Sequence, residues 1–67
     1  MNKRKDSFYI NRLQKYWDSN YKEYDKTAEW YVDPAINVWM CEIPELGILM
    51  KLICDDNGNI REERETL

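Results

Sequence analysis

Apolar residues along this chain follow one period as far as Ala28 and another after it. From Asp6 onward, Ile10, Leu13, Trp17, Tyr21, Tyr24 and Ala28 fall near one line at ~100° per residue, which predicts an amphipathic helix with its apolar stripe toward a core. Asp6-Ser7 supplies an N-cap pair ahead of that run. Tyr9 and Tyr16 flank the stripe and are expected at its wet edge, as packing residues or, on the other reading, as recognition residues. Arg12, Lys15, Ser19, Lys22 and Lys26 fall on the opposite side, so the helix presents a basic stripe to solvent.

Beyond Thr27 the period shortens to two. Glu29-Trp30-Tyr31-Val32, stopped by the turn pair Asp33-Pro34, predicts a short first strand; a helix running on to Tyr31 is the rival reading. Val38 to Ile43 and Ile48 to Ile53 read as two strands folded back at Pro44-Glu45-Leu46-Gly47. Pairing Ile43 with Ile48 sets Cys41 opposite Met50, Trp39 opposite Leu52 and Asn37 opposite Cys54. One face then carries Trp39, Cys41, Ile43, Ile48, Met50, Leu52 and Cys54, and the helix stripe lands there. Asp56-Asn57-Gly58-Asn59 predicts a type I′ turn, with Asn57 and Gly58 at positive φ. The charged run Ile60 to Glu65 follows as a guarded edge strand, with fraying beyond Glu63. The fold class is α+β: one N-terminal amphipathic helix packed on a 3–4-stranded antiparallel sheet, αββββ or αβββ, in a single small domain frayed over 1–6 and 65–67.

The second sheet face is the informative oddity. It carries Val38, Met40, Glu42, Leu49, Lys51 and Ile53, four of the six apolar, although the helix is already spent on the first face. A solvated face should read polar, and contiguous exposed apolar surface marks an interaction site. The alternative is that Tyr31 and the terminal arms lap over it. A domain of 67 residues is marginal alone, so a partner or a second copy would help to stabilise it.

Charge changes this picture in one way. Residues 1–26 carry seven Lys/Arg against four Asp/Glu and residues 27–67 three against nine, so the net −3 hides a +3 half and a −6 half. Either could dock a partner. Cys41 and Cys54 could in principle form a disulfide, but the hairpin register holds them about 13 Å apart at ~3.3 Å per residue, beyond the ~7 Å a bridge needs. They are expected as free, buried thiols.

Catalytic chemistry is thin. The chain has no histidine, so the commonest general base and metal ligand are absent. Ser7 and Ser19 have no base at hand, and two cysteines thirteen residues apart match no zinc spacing. Asp55-Asp56-Asn57-Gly58-Asn59 lacks the glycine and glutamate positions of a calcium loop, and Gly47 and Gly58 alone make no phosphate loop. No enzyme, cofactor or metal is expected. The absence of a long apolar run excludes a membrane-spanning helix, and the basic start Met1-Asn2-Lys3-Arg4-Lys5 is followed by no apolar segment, so the expected location is cytoplasmic.

Thr27-Ala28, Asn37-Val38, Met40, Leu52-Ile53 and the Asp56-Asn57-Gly58-Asn59 turn together resemble the C-terminal hairpins of phage uracil-DNA glycosylase inhibitors. Those are small acidic proteins that fill a DNA-binding groove by mimicking DNA. The resemblance covers about forty residues from Thr27 onward and leaves that family's acidic first strand unmatched. It implies a small phage-encoded inhibitor of a host protein, a class that the Asn/Lys/Ile/Tyr-rich composition also fits.

The expected function is therefore a non-enzymatic regulator or inhibitor, of phage or mobile-element type, that binds a host protein. Two surfaces compete for the role: the second sheet face (Val38, Met40, Leu49, Ile53) and the acidic hairpin (Asp55, Asp56, Glu62, Glu63, Glu65), the latter as a DNA mimic against a DNA-binding enzyme. A two-fold homodimer through the second face is a further expectation. The alternative class is a nucleic-acid-binding module working through Arg12, Lys15, Lys22 and Lys26.

Overall fold

The computed structural model describes residues 4–31 and 36–67. Met1-Asn2-Lys3, Val32 and the Asp33-Pro34 turn expected from sequence lie outside them. The helix α1 spans Asp6–Asn20. Its capping residue is Lys5, in extended conformation and making no side-chain cap bond, so Asp6 lies inside the first turn instead of before it. There its carboxylate still faces the positive end of the helix dipole. The helix stops at Ser19-Asn20, two weak helix formers. Asn20 Nδ2 donates to the Tyr16 carbonyl at 2.9 Å, and Tyr21 leaves helical geometry at φ −133°. A single 3-10 turn, Lys22–Tyr24, carries the chain toward the sheet.

Four antiparallel strands follow in the order of the chain: β1 Glu29–Tyr31, β2 Val38–Ile43, β3 Ile48–Cys54 and β4 Ile60–Thr66. Residues 29–31 are thus strand and not helix end. The β2–β3 register is the one the sequence predicts, Ile43 opposite Ile48 through Val38 opposite Ile53. The Cys54 N–H donates to the Asn37 carbonyl at 2.9 Å. A 3-10 turn over Pro44–Leu46 makes this connection and closes on Gly47 at φ 65°, a left-handed value that suits glycine.

The β3–β4 connection differs from expectation. Gly58 has φ 85°, but Asn57 does not have positive φ, so the turn is not type I′. The Gly58 N–H reaches the Asp55 carbonyl at 3.0 Å and the Asp55 N–H the Asn59 carbonyl at 3.0 Å, a three-residue loop with its left-handed position at the glycine. The Asp55 side chain explains the choice. Its Oδ1 accepts the N–H groups of Asn57 and Asn59, each at 2.9 Å, which holds Asn57 in ordinary turn geometry. Nor does β4 fray at Glu63: it pairs through Thr66 opposite Ile48, and the Leu67 N–H donates to the Gly47 carbonyl at 2.9 Å.

The core lies between α1 and one sheet face. Tyr9, Leu13, Trp17 and Tyr21 meet Cys41, Ile43, Met50, Leu52 and Cys54, all buried. Each aliphatic or aromatic side chain buried there contributes about 1.5–3 kcal/mol. The helix is turned roughly 40° from the expected orientation, which buries Tyr9 and leaves Ile10 37% exposed. Tyr24 and Ala28, which pulled the sequence stripe toward Ile10, lie beyond the end of the helix and have no bearing on its rotation. Tyr9 tolerates burial because its hydroxyl donates to the Asp56 carboxylate. Trp17, Trp30 and Trp39 stack edge to face in a row, at 4.6 and 5.1 Å between ring centres. The Trp17 indole N–H also donates to Asp25 at 2.8 Å.

Candidate functional site

Strand alternation gives the second face from the register alone. Three rows cross it. Val38, Ile53 and Arg61 form the first; Tyr31, Met40, Lys51 and Glu63 the second; Glu29, Glu42, Leu49 and Glu65 the third. The core cluster accounts for α1 on the opposite face, and among the described residues no helix or strand packs on this one. Val38, Met40, Leu49 and Ile53 are half-buried by their neighbours within the sheet, while Tyr31, on the same face, is 45% exposed. The structure therefore gathers all four candidate residues into one surface.

Charged groups surround these apolar side chains unevenly. Arg61 pairs with Glu63 at 3.3 Å. Glu42 and Lys51 sit diagonally, as the hairpin register requires, but no ion pair between them appears among the described residues. Glu29 lies directly opposite Glu42. The neighbouring Glu42 carboxylate, with burial adding to it, raises the Tyr31 phenol above its ordinary pKa.

The acidic hairpin is not one surface. Asp55 is spent on its own turn, and the N–H groups of Asn59 and Asn57 hold its carboxyl below the usual range. Asp56 accepts from Tyr9 through its side chain and from Arg4 Nε through its carbonyl, the latter at 3.0 Å. Glu62 points to the core side, where it accepts the Tyr21 hydroxyl and lies 3.7 Å from Arg64. Only Glu63 and Glu65 of that group reach the open face.

The basic residues are likewise divided. Arg12 and Lys15, with Tyr16, Ser19 and Asn20, line a shallow open cleft between α1 and the start of β4. Arg12 is committed there: Nε and Nη2 donate to the Gly58 carbonyl at 3.2 and 2.9 Å, and the guanidinium lies where a side chain on residue 58 would go. Lys22 and Lys26 come after the end of α1 and do not continue its stripe. Tyr16 is half-buried, its phenol pushed up to about 12 by burial and by Glu62.

Cys41 and Cys54 are free and buried, as their register requires. Burial pushes the Cys41 thiol up to about 11 and raises Cys54 as well. No described helix is long and apolar enough to cross a membrane. Sequence reasoning missed Glu29 as a member of the open face and set Tyr31 there only in its alternative reading, because the alternation within β1 cannot show which β2 residues it meets. No family model, curated protein or solved structure matches the chain.

Proposed function

We propose that the chain acts by binding another protein through the open face of its sheet, as a regulator or inhibitor of the kind that short phage-encoded proteins supply, and not by catalysis. One observation carries this reading: Val38, Met40, Leu49 and Ile53, each only half-buried, share the sheet face away from the helix. Monomers rarely keep such a surface without using it. The composition supports the non-catalytic half, since a chain without histidine has few groups that exchange a proton near neutrality, and the Tyr16 phenol and the Cys41 thiol are shifted further from it. The open face is favoured over the acidic hairpin because Asp55, Asp56 and Glu62 are engaged within the fold.

The test is comparative capture from host lysate with the immobilised chain. A protein retained by the wild type and by Lys15→Glu/Lys22→Glu, but lost with Met40→Glu, is the expected result. Loss with the lysine pair and retention with Met40→Glu would move the site to the helix side. Retardation of DNA or RNA at low salt that survives Met40→Glu would replace the reading with nucleic-acid binding.

A further inference from the structure

The open face is chemically lopsided, and this narrows the partner. Glu29, Glu42, Glu63 and Glu65 stand on it against Lys51 and Arg61, a balance of −2, and the Arg61–Glu63 pair removes one charge of each sign. What remains is Lys51 and a row of three carboxylates, Glu29, Glu42 and Glu65, which only Leu49 interrupts and which spans about 14 Å across the four strands at ~4.8 Å per strand. The apolar side chains Val38, Ile53, Met40 and Tyr31 lie to one side of that row, with Lys51 beside Met40. Glu29 and Glu42 meet as direct cross-strand partners, an arrangement that disfavours the free protein. No cation pairs with Glu29, Glu42 or Glu65 among the described residues.

We infer that the occupant of this face is an amphipathic, basic protein segment: apolar side chains that cover Val38, Met40 and Ile53, flanked by lysines or arginines that neutralise Glu29, Glu42 and Glu65. Charge complementarity selects it. A second copy of the chain would bring the same surplus of carboxylates to the contact, whereas a Lys/Arg-flanked segment relieves the Glu29–Glu42 repulsion as it binds. The inference rests on the reading of the open face as a binding surface.

The two are separated with a model probe, an amphipathic helical peptide of leucine and lysine, against a leucine–glutamate peptide of the same length and spacing. Binding is followed by fluorescence anisotropy and by amide shifts. The expected result is binding of the lysine peptide alone, with shifts on β1 to β4, and on the order of tenfold weakening in Glu29→Gln/Glu42→Gln. The control Asp18→Asn/Glu23→Gln, which removes as much charge from the helix side, should leave affinity unchanged. Equal weakening by both pairs would show attraction by net charge alone and overturn the inference. Binding lost with Met40→Glu yet indifferent to Glu29→Gln/Glu42→Gln would keep the face and discard its charge selectivity. Binding that survives Met40→Glu would discard the face itself. A dimer by sedimentation that Met40→Glu dissociates would assign the face to a second copy and overturn the inference too.

Discussion

The two faces of this sheet are carried by the same strands, often by adjacent residues, yet they have opposite physical fates. Leu52 is fully buried under α1, while Ile53, one residue on, is half-covered by its neighbours. The covered face is finished: the Tyr9 and Tyr21 phenols find carboxylates, the Trp17 indole finds Asp25, and no buried side-chain polar atom among the described residues lacks a partner. The open face is unfinished in the same respects, with apolar surface uncovered and like charges set opposite one another. Both contain methionine and aliphatic residues, but the open face carries six charged side chains against Glu62 and Arg64 on the covered one, and only the covered one receives a helix.

The contrast is broken most forcefully by truncation. Leu52→Ala should destabilise the fold by about 2–5 kcal/mol, enough to unfold much of a 67-residue domain, whereas Ile53→Ala should cost less than about 1 kcal/mol. Urea denaturation measures both. Comparable losses would mean that the open face is packed as tightly as the core.

Much of this division was legible in the chain. The Pro44–Gly47 turn fixed the hairpin register, and the register fixed both faces, because a shift of one residue would have exposed Cys41, Met50 and Leu52 together. The helix rotation was not legible. Hydrophobic periodicity ranks Ile10 above Tyr9, and only the distant Asp56 carboxylate makes the buried phenol acceptable. The turn at Gly58 misled for a related reason: Asn-Gly favours type I′, but the Asp55 carboxylate rewrites the local choice by accepting two N–H groups. The acidic row was hidden because three of its members lie on three different strands, and Glu29 joins only through the β1–β2 pairing.

A smaller effect sharpens the comparison at the margin of the core. Tyr21 donates to Glu62 and receives from Arg64 at 2.6 Å, so Tyr21→Phe should cost about 1 kcal/mol. Its phenol is raised, by burial first and then by Glu62, and Tyr16 is raised to about 12. Because the folded state holds these protons more tightly than the unfolded one, their contribution is fully present below pH ~10 and is lost as pH climbs from about 10 toward 12. Denaturation midpoints across that window should fall, and less steeply in Tyr21→Phe. A midpoint that stays flat to pH 12 would mean that the hydroxyls are not held as described.

The smallest expected change has the opposite sign. Glu29→Lys turns the like-charged pair with Glu42 into an opposite-charged one and should stabilise the free chain by about 0.2–1 kcal/mol, while weakening its hold on the leucine–lysine peptide. Thermal melts and anisotropy read the two effects separately. A loss of stability would show that Glu29 and Glu42 do not repel in the free protein.

The buried thiols turn the molecule into its own recorder of breathing motions. Cys41 lies within β2 and Cys54 ends β3 beside the Asp55 turn, each silent to an alkylating reagent while its strand stays under the helix. Labelling of Cys54 therefore counts loosening at the turn, and labelling of Cys41 counts deeper separation of α1 from the sheet. Two kinds of excursion, local and global, are written on two residues of a chain that needs no added label.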